Sequence, residues 1–551
     1  MYSGLEEVYQ PREEGESFPW LQCSWNVDES LTAVSQIGER LRITGMYSKL
    51  MMRNILMGAV VVGAGFGSVK AAELPNIIFI FADDMGVGDV SHRTGKADTP
   101  ALDRMAREGM RFTDAHTTSS VCTPSRYGLL TGRYNWRTRL QKGVFFSPHD
   151  KPLIKKDEST VASILKDKGY DTACVGKWHL GIGWEFKEKN NPKSRTGYDI
   201  DFAKPAVTPT SHGFDYFYGI QASLDMAPYV YIENERATAE GSVTKGFPRK
   251  GAAAPDFEAN QCLKVFAEKS VAYINQKAKS EKPFFLYLPL TSPHTPIVPS
   301  KEWLGKSPIG KYGDFLMETD WVVGQVLEAL DANKITENTL VMFSTDNGCS
   351  PAAGIGKLVE KGHKPNGDLR GHKADIYEGG HRVPTLAMWP KVVTAGTETK
   401  RLTTLADFYA TCAEIVGAEL GSEDGVDSVS FLPTLKDASQ VDRGAIVMHS
   451  INGSFAIRQG RWKLCFCGGS GGWSAPRKAP EGAPKWQLFD LDADPGEKVN
   501  VYESQPEVVQ GLHDLMVQYI EDGRSTEGKK VQNDVEVEFL NRSVAEGKKK
   551  K

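Results

Sequence analysis

Four short apolar runs punctuate the chain: Asn76-Ile77-Ile78-Phe79-Ile80-Phe81, Thr172-Ala173-Cys174-Val175, Pro283-Phe284-Phe285-Leu286-Tyr287-Leu288 and Thr339-Leu340-Val341-Met342-Phe343. None alternates with polar residues, so each predicts a strand buried on both faces, as in a parallel sheet covered by helices. Helical patterns lie between them. Ser159 to Lys168 directs Val161, Ile164 and Leu165 inward and stops at Gly169, a suitable C-cap. A second helix is predicted over Ala259 to Ala278, and Trp321, Val322, Val326 and Leu330 mark a third apolar face. This βαβ rhythm predicts an α/β fold, a mostly parallel sheet flanked by helices. The stretches from Glu185 to His212 and from Ala237 to Pro255 are polar and rich in Gly, Pro, Lys and Thr, which predicts surface loops.

The pattern changes across Thr434 to Arg443. Ala445 to His449, Phe455 to Arg458, Trp462 to Phe466 and Gln487 to Leu491 read as short antiparallel strands, followed by an amphipathic helix over Pro506 to Glu521. A main domain over residues 73–440 and a smaller C-terminal α+β subdomain over 441–551, containing an antiparallel sheet and ending in the basic tail Lys548 to Lys551, are therefore expected.

With 551 residues and a formal charge of −4, the chain can bury a large core and shows no electrostatic footprint for nucleic acid. The run Ile55 to Val69, flanked by Lys49 and Arg53 and followed by the small-residue site Val69-Lys70-Ala71, predicts a signal peptide over 46–72 rather than a stable membrane span. A periplasmic or secreted location follows. Residues 1–45 carry Glu6, Glu7, Glu13, Glu14 and Glu16 without periodicity and read as a disordered extension from a misassigned start, with Met46, Met51 or Met52 as the expected start. The eight cysteines match no small disulfide framework, and Cys465 and Cys467, without a histidine or second pair, predict packing rather than zinc.

Polar motifs follow each apolar run directly: Asp83-Asp84, Lys177-Trp178-His179, Ser292-Pro293-His294 and Asp346-Asn347. Ligands of open α/β sheets bind beyond the strand carboxyl ends, so these four segments are expected to converge. Asp83, Asp84, Asp346 and Asn347 offer the oxygen ligands a hard cation takes in loose geometry, calcium before magnesium. Between them stands Cys122-Thr123-Pro124-Ser125-Arg126, continued by Tyr127-Gly128-Leu129-Leu130-Thr131-Gly132-Arg133.

This C-x-P-x-R stretch and its continuation resemble the signature of formylglycine-dependent (type I) sulfatases, and the resemblance extends from Asn76 to beyond Glu497. It implies an alkaline-phosphatase-like fold, a maturation enzyme that oxidises Cys122 to formylglycine, and hydrolysis of a sulfate monoester. Cys122 would then also join the metal ligands. It further implies that Arg126, Lys177 and Lys373, the last in Gly371-His372-Lys373, support the anion pocket. By the same resemblance His179 is the base that collapses the sulfated adduct and His294 the acid for the leaving oxygen. The runs Phe112-Thr113-Asp114-Ala115-His116 and Arg133-Tyr134-Asn135-Trp136-Arg137 resemble bacterial enzymes acting on galactose or N-acetylgalactosamine 6-sulfates, making a sulfated sugar the expected partner. Candidate sugar contacts are Arg133, Trp136, Arg137, Arg139 followed by Gln141, and Asp225. The alternatives are a phosphomonoester or phosphonate hydrolase of the same superfamily and a non-catalytic carbohydrate-binding descendant.

Overall fold

The computed structural model describes residues 74–537 and 539. The proposed extension 1–45, signal 46–72 and basic tail fall outside them. A ten-stranded sheet forms the middle layer. From one edge its strands are Thr397–Thr399, Met110–Phe112, Thr385–Met388, Thr339–Thr345, Asn76–Asp83, Phe284–Pro293, Asp171–Lys177, Tyr216–Ile220, Ile232–Glu233 and Arg236–Ala237. The five from Thr339–Thr345 to Tyr216–Ile220 are mutually parallel, and four of these five are the apolar runs read from sequence. Phe284–Pro293 and Thr339–Thr345 are buried throughout, as helices on both faces require.

Helices cover the sheet where the apolar periodicity placed them. Val161–Asp167 starts at Thr160, whose side chain accepts from the Ser163 backbone while Ser163 reciprocates, a capping box. Cys262–Lys277 and Lys311–Ala332 pack on each other, the latter burying Val322, Val326 and Leu330. Three strands toward one side of the sheet, Met110–Phe112, Thr385–Met388 and Thr397–Thr399, went unread because three or four residues give too little period to detect. The stretch 237–255 is not simply a loop. It contains a hairpin of Val243–Gly246 with Lys250–Ala253, whose first strand is largely solvent-facing and therefore lacks an apolar signal.

The C-terminal strands Ile446–His449, Phe455–Gln459, Trp462–Cys465 and Gln487–Asp490 form an antiparallel sheet in sequence order. Alternation sorts its two faces. Val447, Ile457, Leu464 and Leu488 pack with Val509, Leu512 and Met516 of the helix Pro506–Glu521. Ile446, Met448, Ala456, Cys465 and Phe489 pack instead with Ile376 and Tyr377 of the main domain. The seven described cysteines, among them Cys465 and Cys467, are all buried and form no disulfide.

Candidate active site

Parallel pairing brings the four polar motifs together. The strands ending at Thr345, Asp83, Pro293 and Lys177 are consecutive neighbours pointing the same way, so Asp346-Asn347, Asp83-Asp84, His294 and Lys177 share one sheet end. Cys122 faces them from the first turn of the helix Cys122–Thr131. All ten residues of this helix are buried, and Gly132 ends it at φ 63°, where a Cβ would lie 2.9 Å from the Tyr409 side chain and the Gly425 backbone. The start of the helix places the positive end of its dipole beside Cys122.

Charges alternate around the sulfur. Lys373 Nζ donates to Asp84 Oδ1 and stands 3.6 Å from Cys122 Sγ. Lys177 Nζ donates to Asp83 Oδ2. The buried Arg126 donates through Nη2 to Asp346 Oδ2 at 2.7 Å, passes Asp83 at 3.7 Å, and donates through Nη1 to the Lys177 carbonyl at 3.3 Å. Asn347 Nδ2 donates to Asp84 Oδ1 at 2.7 Å, leaving its own Oδ1 facing inward. Burial would raise the Asp83 pKa, but Lys177, His294, Arg126 and Lys373 outweigh it and hold this carboxylate well below its usual range. Burial, then the Asp83 charge, pushes Asp346 up to about 7 against the pull of Arg126 and Lys177.

The oxygens fit a hard cation. Asp83 Oδ1, Asp84 Oδ2 and Asn347 Oδ1 are buried side-chain acceptors with no hydrogen-bond partner, an arrangement that costs free energy unless something positive satisfies them. One ligand atom each from Asp83, Asp84, Cys122 and His294 falls within 4.8 Å of the others. The three orphaned atoms are carboxylate and amide oxygens, which calcium and magnesium take as ligands.

The two histidines present different atoms. His179 Nε2 lies 2.9 Å from the Phe145 carbonyl, which can only accept, so Nε2 carries the proton and the buried, unpartnered Nδ1 is the free base. Burial and the Lys177 charge keep His179 well below the usual imidazole pKa. In His294, Nδ1 donates to the Thr295 carbonyl at 2.6 Å and Nε2 faces Asp84 Oδ2 at 3.7 Å. Burial and Lys373 lower its pKa, while Asp84 and Asp83 pull the other way. Asp84 at φ 69°, His179 at φ 57° and Ala374 at φ 82°, beside Lys373, adopt left-handed backbone. Such conformations cost about 1–3 kcal/mol each and persist where surrounding bonds over-determine them.

Of the expected sugar contacts, Trp136, Arg137 and Arg133 are engaged elsewhere. Trp136 is fully buried, stacked on Tyr134 and edge-on to Phe455 in the core of the C-terminal subdomain. Arg137, also fully buried, clamps Asp427 with bonds of 2.9 and 2.8 Å. Both are corrected to packing residues, because an enclosed side chain cannot meet a sugar. Arg133 bonds Asp534 at 3.0 Å and Tyr127 Oη at 3.2 Å in a separate 290 Å³ cavity with Lys155, Glu158 and Asp424, so it too leaves the contact set. Arg139 is exposed, its guanidinium 5.4 Å from the Phe145 ring centroid, and Asp225 is paired with Arg249 at 2.6 Å.

Sequence reasoning passed over the turn around Gly471-Gly472-Trp473-Ser474. Trp473 N and Ser474 N donate to Asp375 Oδ1, and Ser474 Oγ lies 2.9 Å from His372 Nε2, which braces the Lys373 segment. The visible signal was the run Gly468-Gly469-Ser470-Gly471-Gly472: a Cβ on Gly472 would sit 2.3 Å from the Ala374 carbonyl oxygen.

Comparison with known proteins agrees with this geometry. The Sulfatase family model matches residues 75–418. An N-acetylgalactosamine-6-O-sulfatase of Bacteroides thetaiotaomicron is 34% identical over 81% of this chain and 93% of its own. Arylsulfatase A of Bos taurus is 32% identical over 80% and 86%, respectively. A solved structure from work on the metabolism of multiple glycosaminoglycans by Bacteroides thetaiotaomicron superimposes with a TM-score of 0.70 at 31% identity, covering 81% of this chain and 99% of its own. With its parallel sheet, its gathered strand-end carboxylates and these matches over most of its length, the chain belongs to the sulfatase family and is a sulfuric ester hydrolase.

Proposed function

We propose that this enzyme is exported and removes the 6-sulfate from a galactose or N-acetylgalactosamine residue of a sulfated carbohydrate, using a formylglycine formed from Cys122 and a calcium ion. The observation that carries the site reading is the placement of Cys122 Sγ, 3.6 Å from Lys373 Nζ, beside three unpartnered buried oxygens. The sugar preference is supported by the 34% identical relative, an N-acetylgalactosamine-6-O-sulfatase. For the location, among the described residues no helix is long and apolar enough to cross a membrane, while the apolar run read as a signal lies outside them.

Unmodified Cys122 is a poor nucleophile, since burial pushes its thiol up to about 12 despite Lys177 and Lys373. Formylglycine, once formed, would supply two hydroxyls on one carbon, one to attack sulfur as its proton passes to Asp346 and one to collapse the adduct. Asp83, Asp84, Asp346 and Asn347 would hold the calcium ion, with Cys122, once converted, as a further ligand. Calcium supplies charge neutralisation for sulfate and orientation of the attacking hydroxyl. Lys177 and Lys373 stabilise sulfate oxygens as negative charge shifts during transfer. Arg126 holds Asp346 and Asp83 in place. His294 Nε2 gives its proton to the departing sugar oxygen, and the arriving sulfate favours the protonated ring by adding negative charge nearby. His179 Nδ1 then takes the proton of the remaining hydroxyl, expelling sulfate and restoring the aldehyde.

Side-by-side turnover of 6-sulfated and 6-phosphorylated N-acetylgalactosamine by converted enzyme tests the proposal. Release of sulfate with little release of phosphate is expected. Preferential phosphate release, or binding of the sugar without turnover, would refute it.

A further inference from the structure

Exposed arginines from other loops gather over the segment that touches both Cys122's neighbour and His179. Phe145 N donates to Thr123 Oγ1 at 3.3 Å, and the Phe145 carbonyl accepts from His179 Nε2 at 2.9 Å. Phe146, the next residue, has two guanidinium groups over its ring, Arg195 at 5.3 Å and Arg249 at 5.4 Å from the centroid. Both arginines are exposed, and among the described residues Arg195 has no carboxylate within salt-bridge distance. Arg139 adds a third exposed cation at the Phe145 ring. The carriers are tied down: Phe146 N and Ser147 N both donate to Asp150 Oδ2 at 2.8 Å, and Ser147 Oγ donates to the Ser194 carbonyl at 2.6 Å, fixing one loop to the other.

A guanidinium lying on an aromatic ring keeps its N–H edge free for bidentate contact with an anion. Asp225 occupies one side of Arg249 only, and the cluster carries surplus positive charge in a chain of net charge −4. The reacting sulfate already has Lys177, Lys373 and the cation that the site's oxygens would hold, so a second positive site next door has no task with a monosulfated monosaccharide. We infer that Arg195, Phe146 and Arg249 form an accessory subsite for a second anionic group, a sulfate ester or a uronic carboxylate, on the sugar adjoining the one that is desulfated. This rests on the sulfatase reading above and narrows its substrate to polyanionic oligosaccharides.

The test uses full-length, converted enzyme and 6-sulfated N-acetylgalactosamine presented alone, or linked to a neutral, a sulfated or a uronic neighbour. Wild type should favour an anionic over a neutral neighbour by about tenfold in kcat/KM, mostly through KM, and lose the preference as NaCl rises. Arg195→Ala and Arg249→Gln should each reduce that preference at least about threefold, Arg195→Lys should keep part of it, and monosaccharide turnover should stay within about twofold. Whether the sulfated or the uronic neighbour carries the effect identifies the anion. Equal wild-type rates with neutral and anionic neighbours, or variants that slow every substrate alike, would overturn the subsite. A wild type that hydrolyses phosphate but none of the sulfate esters would instead overturn the reading beneath it.

Discussion

His179 and His294 differ in which ring nitrogen the backbone occupies, and the difference separates their kinetic signatures. The Phe145 carbonyl fixes Nε2–H of His179 and leaves Nδ1 basic, whereas the Thr295 carbonyl fixes Nδ1–H of His294 and leaves Nε2 toward the site. A sugar alkoxide leaves poorly without a proton, but an activated aryl oxide needs little help. His294→Ala should therefore slow sugar-sulfate turnover about 10²-fold or more while affecting aryl-sulfate turnover far less. His179→Ala should slow both and accumulate sulfated enzyme, detectable by intact mass; equal loss on both substrates in His294→Ala without an adduct would assign His294 to sulfate binding. Asp83→Ala and Asp346→Ala should lose bound calcium by elemental analysis and nearly all activity. Asp492→Ala, in the exposed distal turn, should lose neither. Undiminished calcium in the two site variants would remove them from the ligand set.

Between elements, the main domain and the C-terminal sheet are joined by buried charge. Arg458 of the strand Phe455–Gln459 forks onto Asp114 at 2.8 and 2.7 Å, and Lys463 of the next strand bonds Glu378 at 3.0 Å and Glu497 at 2.7 Å. Burial would raise Asp114, but its bond to His116 and the charges of His116, Arg382 and Arg458 hold it well below the usual carboxylate range. A depressed folded-state pKa contributes stability that is full above the unfolded value, near 4, and is lost as pH falls below it. Arg458→Met should thus cost about 1–3 kcal/mol at pH 7, because it takes the two-pronged partner from a buried carboxylate that keeps only His116 and Arg382, and the gap to wild type in denaturant titrations should shrink below about pH 4. A pH-independent gap would mean that packing, not charge, is lost. None of this network was legible beforehand, since pairs such as Asp114 and Arg458 meet only in the folded chain. The central strands and the helix Pro506–Glu521 were legible because their own apolar pattern fixes them, and the placement of Asp83, Lys177, His294 and Asp346 followed from strand ends. Trp136 and Arg137 were misread as sugar contacts: a tryptophan beside arginines looks the same in sequence whether it stacks on a ligand or on Tyr134 and Phe455.

At the scale of the molecule, burial of Cys122 bears on the proposed maturation. Cys122 is 2% exposed, and Thr123 to Arg126 are enclosed within the helix they begin. Under the proposed formylglycine chemistry, a maturation enzyme would have no access to this enclosed motif in the folded protein, so conversion is expected to precede folding. Folded thiol-form protein incubated with that enzyme and oxygen should stay unconverted, while the denatured chain or a peptide spanning the motif is modified; efficient conversion of the folded form would show that the helix opens. The account as a whole rests on the chemical state of this one residue. Peptide mass analysis of preparations with different specific activities tests it most directly: the Cys122 peptide should be about 18 Da lighter in active protein, with activity proportional to the converted fraction. Full sulfate-ester turnover by protein whose Cys122 is entirely unconverted thiol would contradict it.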